Sequence, residues 1–101
     1  MATTACLSLL SVVAVSPQQV SSELSGEVVI LNIGAGVYHG LETTGARVWQ
    51  LIQQPIRVAD IRDAIVREYD VDPAQCELDL LELLEDLLAH GLLAIHSQPH
   101  E

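Results

Sequence analysis

The chain has no lysine and no phenylalanine, and its 101 residues include only two cysteines, two tyrosines and one tryptophan. Each shortage excludes something. A P-loop needs a lysine whose ammonium reaches the β- and γ-phosphates, so that route to nucleotides is closed. Four basic residues, all arginine, face fourteen carboxylates, a formal charge of −10. Such a surface repels phosphate backbones and anionic membranes and favours basic or neutral partners. Cys6 and Cys76 lie far apart with no metal-type spacing, and one pair does not make a disulfide scaffold; free thiols in a reducing cytoplasm are expected. With so few aromatics, the core must be built from Leu, Ile and Val.

Half of the residues are apolar, which argues against disorder. A chain of this length forms one domain and buries about two-thirds of the surface its unfolded form exposes. That domain is expected over residues 1–96, with 97–101 a disordered tail. The opening "MATTACLSLLSVVAVS" is not a signal sequence: no Lys or Arg precedes the apolar run, Ser8 and Ser11 interrupt it, and Cys6 comes before it. No stretch reaches the length of a membrane span. A soluble, cytoplasmic protein is expected.

Residues 5–15 are rich in valine and read as extended. Ser16-Pro17 breaks that run, and 18–26 is polar. "EVVILNI" (27–33) is a β-branched strand. Gly34-Ala35-Gly36 then connects it to "VYHGL" (37–41), the pattern of a hairpin. At Glu42-Thr43-Thr44 the period changes. Either threonine can cap a helix carrying Ala46, Val48, Trp49 and Ile52 inward, ended by Pro55. A second helix fits 58–69, with Val58, Ile61, Ile65 and Val66 inward. The third has the sharpest limits: an Asp72 cap with Pro73 at the first position, Gln75 at capping-box spacing, and a His90-Gly91 stop. Between them Leu80, Leu81, Leu83, Leu84, Leu87 and Leu88 cover an apolar arc of roughly 160° at about 100° per residue. "LLAIH" (92–96) is a short strand candidate. The predicted class is α+β and winged-helix-like: a three-stranded antiparallel sheet followed by three helices.

Several chemistries fail on the residues. "GAGVYHGLE" (34–42) begins like a dinucleotide loop, but the third glycine position is His39 and a strand follows where a helix N-terminus should stand. The second and third helices resemble a helix-turn-helix, yet the reader helix would carry Glu77, Asp79, Glu82, Glu85 and Asp86 and no basic residue, so no nucleic-acid partner is expected. His96 and His100 are four apart but separated by Pro99, so no metal site is expected. Cys76 with His39 is a formal nucleophile–base pair, but Cys76 falls one turn before Leu80 at an apolar position, so core packing explains it better. No catalytic set and no cofactor emerge. Peptide binding remains: an extended peptide can add to an open strand edge beside a leucine-rich helix. Gly36 and Gly40 leave the backbone of 37–41 accessible there, and Tyr38 and His39 offer polar-tipped contacts. An ordinary edge blunted by histidine and glycine accounts for these residues equally well.

"VYHGLETTGARVWQLI", followed by "VADIRDAIVREYDVDPAQCELDLLELLEDLLAHGLL", resembles the PqqD-like family, the RiPP precursor peptide recognition elements, over about 27–93. The stretch Gln53-Gln54-Pro55-Ile56-Arg57 departs from the family's usual Asp-Gly turn and Thr cap. Leu81 and Leu88 are more apolar than usual there, which would suit a further partner surface. The resemblance implies a non-catalytic winged-helix module that binds the leader of a ribosomally made precursor peptide as an added strand. By position, the strand contribution falls on Val37, Tyr38, His39 and Gly40. The helix contribution falls on Cys76, Asp79, Leu80 and Leu83, with Asp79 able to meet a leader lysine or arginine. It resembles the stand-alone form. Its partners would be a leader-cleaving cysteine protease and an ATP-dependent cyclase in a lasso-peptide pathway, or a radical-SAM enzyme otherwise. The alternative is an adaptor that homodimerises through its third helix.

Overall fold

The computed structural model describes residues 7–17, 19–24, 27–34 and 36–97. Within them lie β1 (Val12–Val15), β2 (Gln19–Leu24), β3 (Glu27–Asn32), β4 (Val37–Glu42), α1 (Thr44–Leu51), β5 (Ile56–Arg57), α2 (Val58–Tyr69), α3 (Pro73–Ala89) and β6 (Leu93–Ser97). The strands form two antiparallel sheets, ordered β5-β1-β6 and β2-β3-β4. The α+β expectation, strands followed by three helices, is borne out.

The make-up of the sheets differs from the sequence pattern in two ways. The third strand beside the hairpin is β2, the polar stretch "QVSSEL", in register from Gln19↔Asn32 to Leu24↔Glu27. The valine-rich run instead becomes β1, joined to β5 and to β6 near the chain's end. Polarity hides β2 because one of its faces is wet and the other meets polar side chains: the Trp49 indole N–H donates to Ser21 Oγ at 3.2 Å. Ser97, expected as the start of a disordered tail, is instead the last residue of β6, paired with Val12; Cys6, Gly26 and residues 98–101 of the expected tail lie outside the described residues.

The core follows the helical periods. Ala46, Val48, Trp49, Ile52, Val58, Ile61, Ile65, Cys76, Leu80, Leu84 and Leu87 are buried together with Val13, Val28 and Ile30 of the sheets. Leu81, Leu83 and Leu88 are half-buried and pack against the same cluster. The leucine arc of α3 is therefore spent on the chain's own core, and Leu78 is the exposed leucine of that helix.

Helix ends show where local signals act and where the tertiary fold replaces them. Asp72 caps α3 by accepting from the Gln75 N–H at 2.9 Å. Gln75 does not return the bond; its side chain donates to Asp79 at 3.0 Å instead. Neither threonine caps α1: Thr43 stands at the N-cap position with φ 53° and no side-chain cap bond, a strained backbone for a β-branched residue. The first amides of α2, from Val58 and Ala59, donate to the carbonyls of Ser11 and Leu9. Chain from before β1 thus satisfies donors that Arg57, the N-cap residue, leaves bare.

Candidate functional site

Alternation places the β4 side chains. Its register with β3 pairs Ile30 with His39 and Val28 with Leu41 on the inner face, and Leu31 with Tyr38 and Val29 with Gly40 on the outer face. His39 is half-buried accordingly, whereas Tyr38 is 69% exposed on the side turned away from the helices. β4 is the last strand of its sheet, so alternate backbone N–H and C=O groups point beyond the edge, the arrangement that accepts another strand.

Two anchor points hold this edge beside α3. At one end the His39 ring meets the His90 ring edge-on, with centroids 4.4 Å apart. The Asn32 side-chain amide, from the end of β3, donates to the His90 carbonyl. At the other end β4 passes through Thr43 into α1. There Thr44 and Val48 line a cavity of about 330 Å³ with Cys76, Asp79, Leu80 and Leu83 of α3. Ile65 of α2 and Val71 just beyond it add to the apolar floor, while Asp72 and Gln75 stand with Asp79 at the polar part of the wall.

The four helix residues singled out in the sequence, Cys76, Asp79, Leu80 and Leu83, thus share one cavity. The four strand residues do not line it. Val37, Tyr38, His39 and Gly40 lie along the edge towards the His90 end of α3. From His39 to the end of β4 at Glu42 is three strand steps, about 10 Å at about 3.3 Å each, and Thr43 then turns the chain into α1. Along α3, Leu80 and His90 are about 15 Å apart at 1.5 Å per residue. The edge thus meets the end of α3 at the histidine contact and leads through Thr43 into α1, which borders the cavity. Thr44, Val48, Ile65 and Val71 were missed as wall residues. Thr44 and Val48 are one helical turn apart, but only the packing of α1 against α3 shows which face they present.

Burial, followed by the nearby Asp79 carboxylate, pushes the Cys76 thiol above its ordinary value, outweighing the opposing pull of Arg62. That is the reverse of an activated nucleophile. Cys76 and His90 are also about 20 Å apart along the helix, so His39, which touches His90, is out of reach as a base. Elsewhere on the surface, Arg47 makes a two-bond contact to Glu68 at 2.9 and 3.0 Å, tying α1 to α2. This bond raises the Arg47 value and lowers that of Glu68. No helix among the described residues is long and apolar enough to cross a membrane.

Known proteins share this arrangement. A solved structure of TbiB1 in complex with the TbiA(beta) leader peptide is 34% identical; the match covers 86% of this chain and 99% of that one, with a TM-score of 0.76. A lasso peptide synthetase B1 complexed with the leader peptide is 23% identical, covers 81% of this chain and 96% of its own, and superposes with a TM-score of 0.72; at that identity it shows the fold alone. A comparison with curated protein sequences returned no match. The family described as Coenzyme PQQ synthesis protein D (PqqD) matches residues 27–93. By that match and by its likeness to TbiB1, the chain belongs to the PqqD family.

Proposed function

We propose that this protein is a non-catalytic binder of a precursor leader peptide, which it takes up as an additional strand on the β4 edge. The observation that carries the reading is the open β4 edge, which leads into α1 at an apolar cavity with carboxylates at its wall. Main-chain bonds along Val37, Tyr38, His39 and Gly40 would give affinity without regard to sequence. A leader side chain entering between Val48, Leu80 and Leu83 would give selectivity. Asp72 and Asp79 favour a leader with an arginine or lysine beside that apolar anchor. The complex of TbiB1 with its leader peptide supports the same reading.

In this role the protein delivers the precursor to separate enzymes: a leader-cleaving cysteine protease and an ATP-dependent cyclase if the product is a lasso peptide, or a radical-SAM enzyme otherwise. The thiol of Cys76, held protonated and packed in the core, suits a wall residue rather than a nucleophile. Homodimerisation through α3 is the weaker reading, because its leucines already pack inward.

Titration with the leader encoded beside the gene, followed by backbone amide exchange, tests the proposal. Binding should slow exchange along β4 but not along β2, the opposite edge of the same sheet. Leu83→Asp, at a half-buried wall position, should weaken binding at least about tenfold while the melting curve stays cooperative. Protection confined to β2, or unchanged affinity in Leu83→Asp, would overturn the groove. Delivery is tested separately: the protein should raise the rate of leader cleavage by its protease, and Leu83→Asp should not.

A further inference from the structure

Asp86 and His90 are four residues apart in the sequence, and folding brings His39 of β4 to them at the end of α3. One ligand atom from each lies within 4.8 Å of the other two. We infer that this trio is a binding site for a first-row divalent transition ion such as Zn2+, a function separate from peptide capture.

Three observations point to a ligand. First, the Nε2 atom of His39 is buried and has no hydrogen-bond partner. An imidazole nitrogen turned inward without a partner is costly, and a metal ion would satisfy it. Second, His90 Nδ1 lies 2.8 Å from the Asp86 backbone carbonyl. A carbonyl oxygen only accepts, so Nδ1 carries the proton and Nε2 keeps its lone pair. A histidine that ligates a metal through one nitrogen is commonly oriented in this way by the other. Third, Asp86 and His90 are four residues apart at the end of α3, with the Asp86 carboxylate 3.5 Å from the protonated His90 Nδ1, so the carboxylate already stands beside the ring whose Nε2 is left for the ion. That spacing presents both side chains on one helical face, and β4 supplies the third donor across from them.

The donor set decides the class of ion. Two imidazoles and a carboxylate suit zinc, cobalt, nickel or copper rather than calcium or magnesium, which prefer oxygen alone. Ligands at about 2.1 Å in tetrahedral array stand about 3.4 Å apart, so the trio must draw in by about an ångström. Asp86 is exposed, and rotation of its side chain can close that distance while the His90 ring keeps its orientation. Three protein ligands leave the fourth position for water, and the chain's negative charge favours cation capture in general. A bound ion would pin the strand edge to the end of α3 through coordinate bonds where the free protein has a ring contact.

Titration of the metal-free protein with Co2+, read by visible absorption, and competition for Zn2+ against a chromophoric chelator test the site. One equivalent should bind with a tetrahedral cobalt spectrum. Asp86→Asn and His90→Gln, both at exposed positions, should each weaken binding at least about tenfold. His96→Ala, outside the trio, should not. Imidazole nitrogen signals of His39 and His90 should shift together on zinc addition. The inference falls if His90→Gln binds as the parent does, if the shifted signals belong to His96, or if a thiolate charge-transfer band assigns the ion to cysteine. His39→Gln binding like the parent would also overturn it; should that variant misfold, the nitrogen signals decide. Leader affinity measured in chelator keeps this result apart from the peptide-binding proposal.

Discussion

One helix, α3, is held by different forces at its two ends. Its N-terminal end is made by local chemistry: the Asp72 carboxylate on the Gln75 amide, a proline in the first turn, and then a wall of Cys76, Asp79, Leu80 and Leu83 facing a cavity. Its C-terminal end is made by the rest of the fold. The Gly91 N–H returns to the Leu88 carbonyl and the Leu92 N–H to Leu87, a Schellman closure with Leu87 and Leu92 both buried in the core. The hairpin then clamps that closure through Asn32 and His39. A self-contained end can border an open cavity, because it needs no neighbour to be stable. An end that depends on the hairpin fixes β4 in place, and with it the edge that a peptide would use.

The comparison predicts what different lesions do. The largest effect is expected from Leu84→Ala, in the fully buried middle of α3. It should cost about 3 kcal/mol in urea unfolding and loosen both ends in a single transition; separate transitions would mean that the ends are independent. Gly91→Ala comes next. At φ +75° an added Cβ would stand 3.0 Å from the Asn32 amide nitrogen, and the backbone penalty alone is about 1–2 kcal/mol. Amide exchange in the β3–β4 hairpin should accelerate while the amides around Gln75 stay protected. Asp72→Ala should cost about 1 kcal/mol with the reverse pattern, exposing Gln75 and sparing the hairpin.

The smallest effect belongs to a contact remote from both ends. Glu68 is held below its ordinary value chiefly by its hydrogen bond to Arg47. A lowered folded-state value means that the pair stabilises above the unfolded carboxylate value of about 4.3 and loses that contribution as pH falls through the folded value. Melting curves of Arg47→Ala and the parent should therefore differ slightly at neutral pH and converge in acid. A difference that persists in acid would assign the effect to packing of the arginine stem.

How far the sequence reached depended on whether each signal was local. The bounds of α2 and α3 were legible because apolar residues recur at helical spacing and Asp72-Pro73 and His90-Gly91 mark the ends of α3. The helix half of the proposed site was legible through the resemblance to the PqqD-like family, and its four residues do share a wall. β2 was not legible, since its strand character comes from pairing with β3 rather than from its own polar residues. The face of Tyr38 was not legible either. Adjacent strand residues point to opposite sides, and only the register with β3 shows that His39 takes the inner one. The Thr43 cap failed because the turn from β4 into α1 sets its backbone before its side chain can act.

By itself, then, the sequence determined the helices, the apolar core, the acidic surface and the absence of any lysine for a phosphate. These follow from composition and from spacings within a few residues. The tertiary structure alone decided that β1 joins β6, that α1 and α2 complete the cavity, and that His39 reaches His90 and Asp86. Each of those contacts joins residues far apart in the chain, and no local spacing encodes where such residues meet.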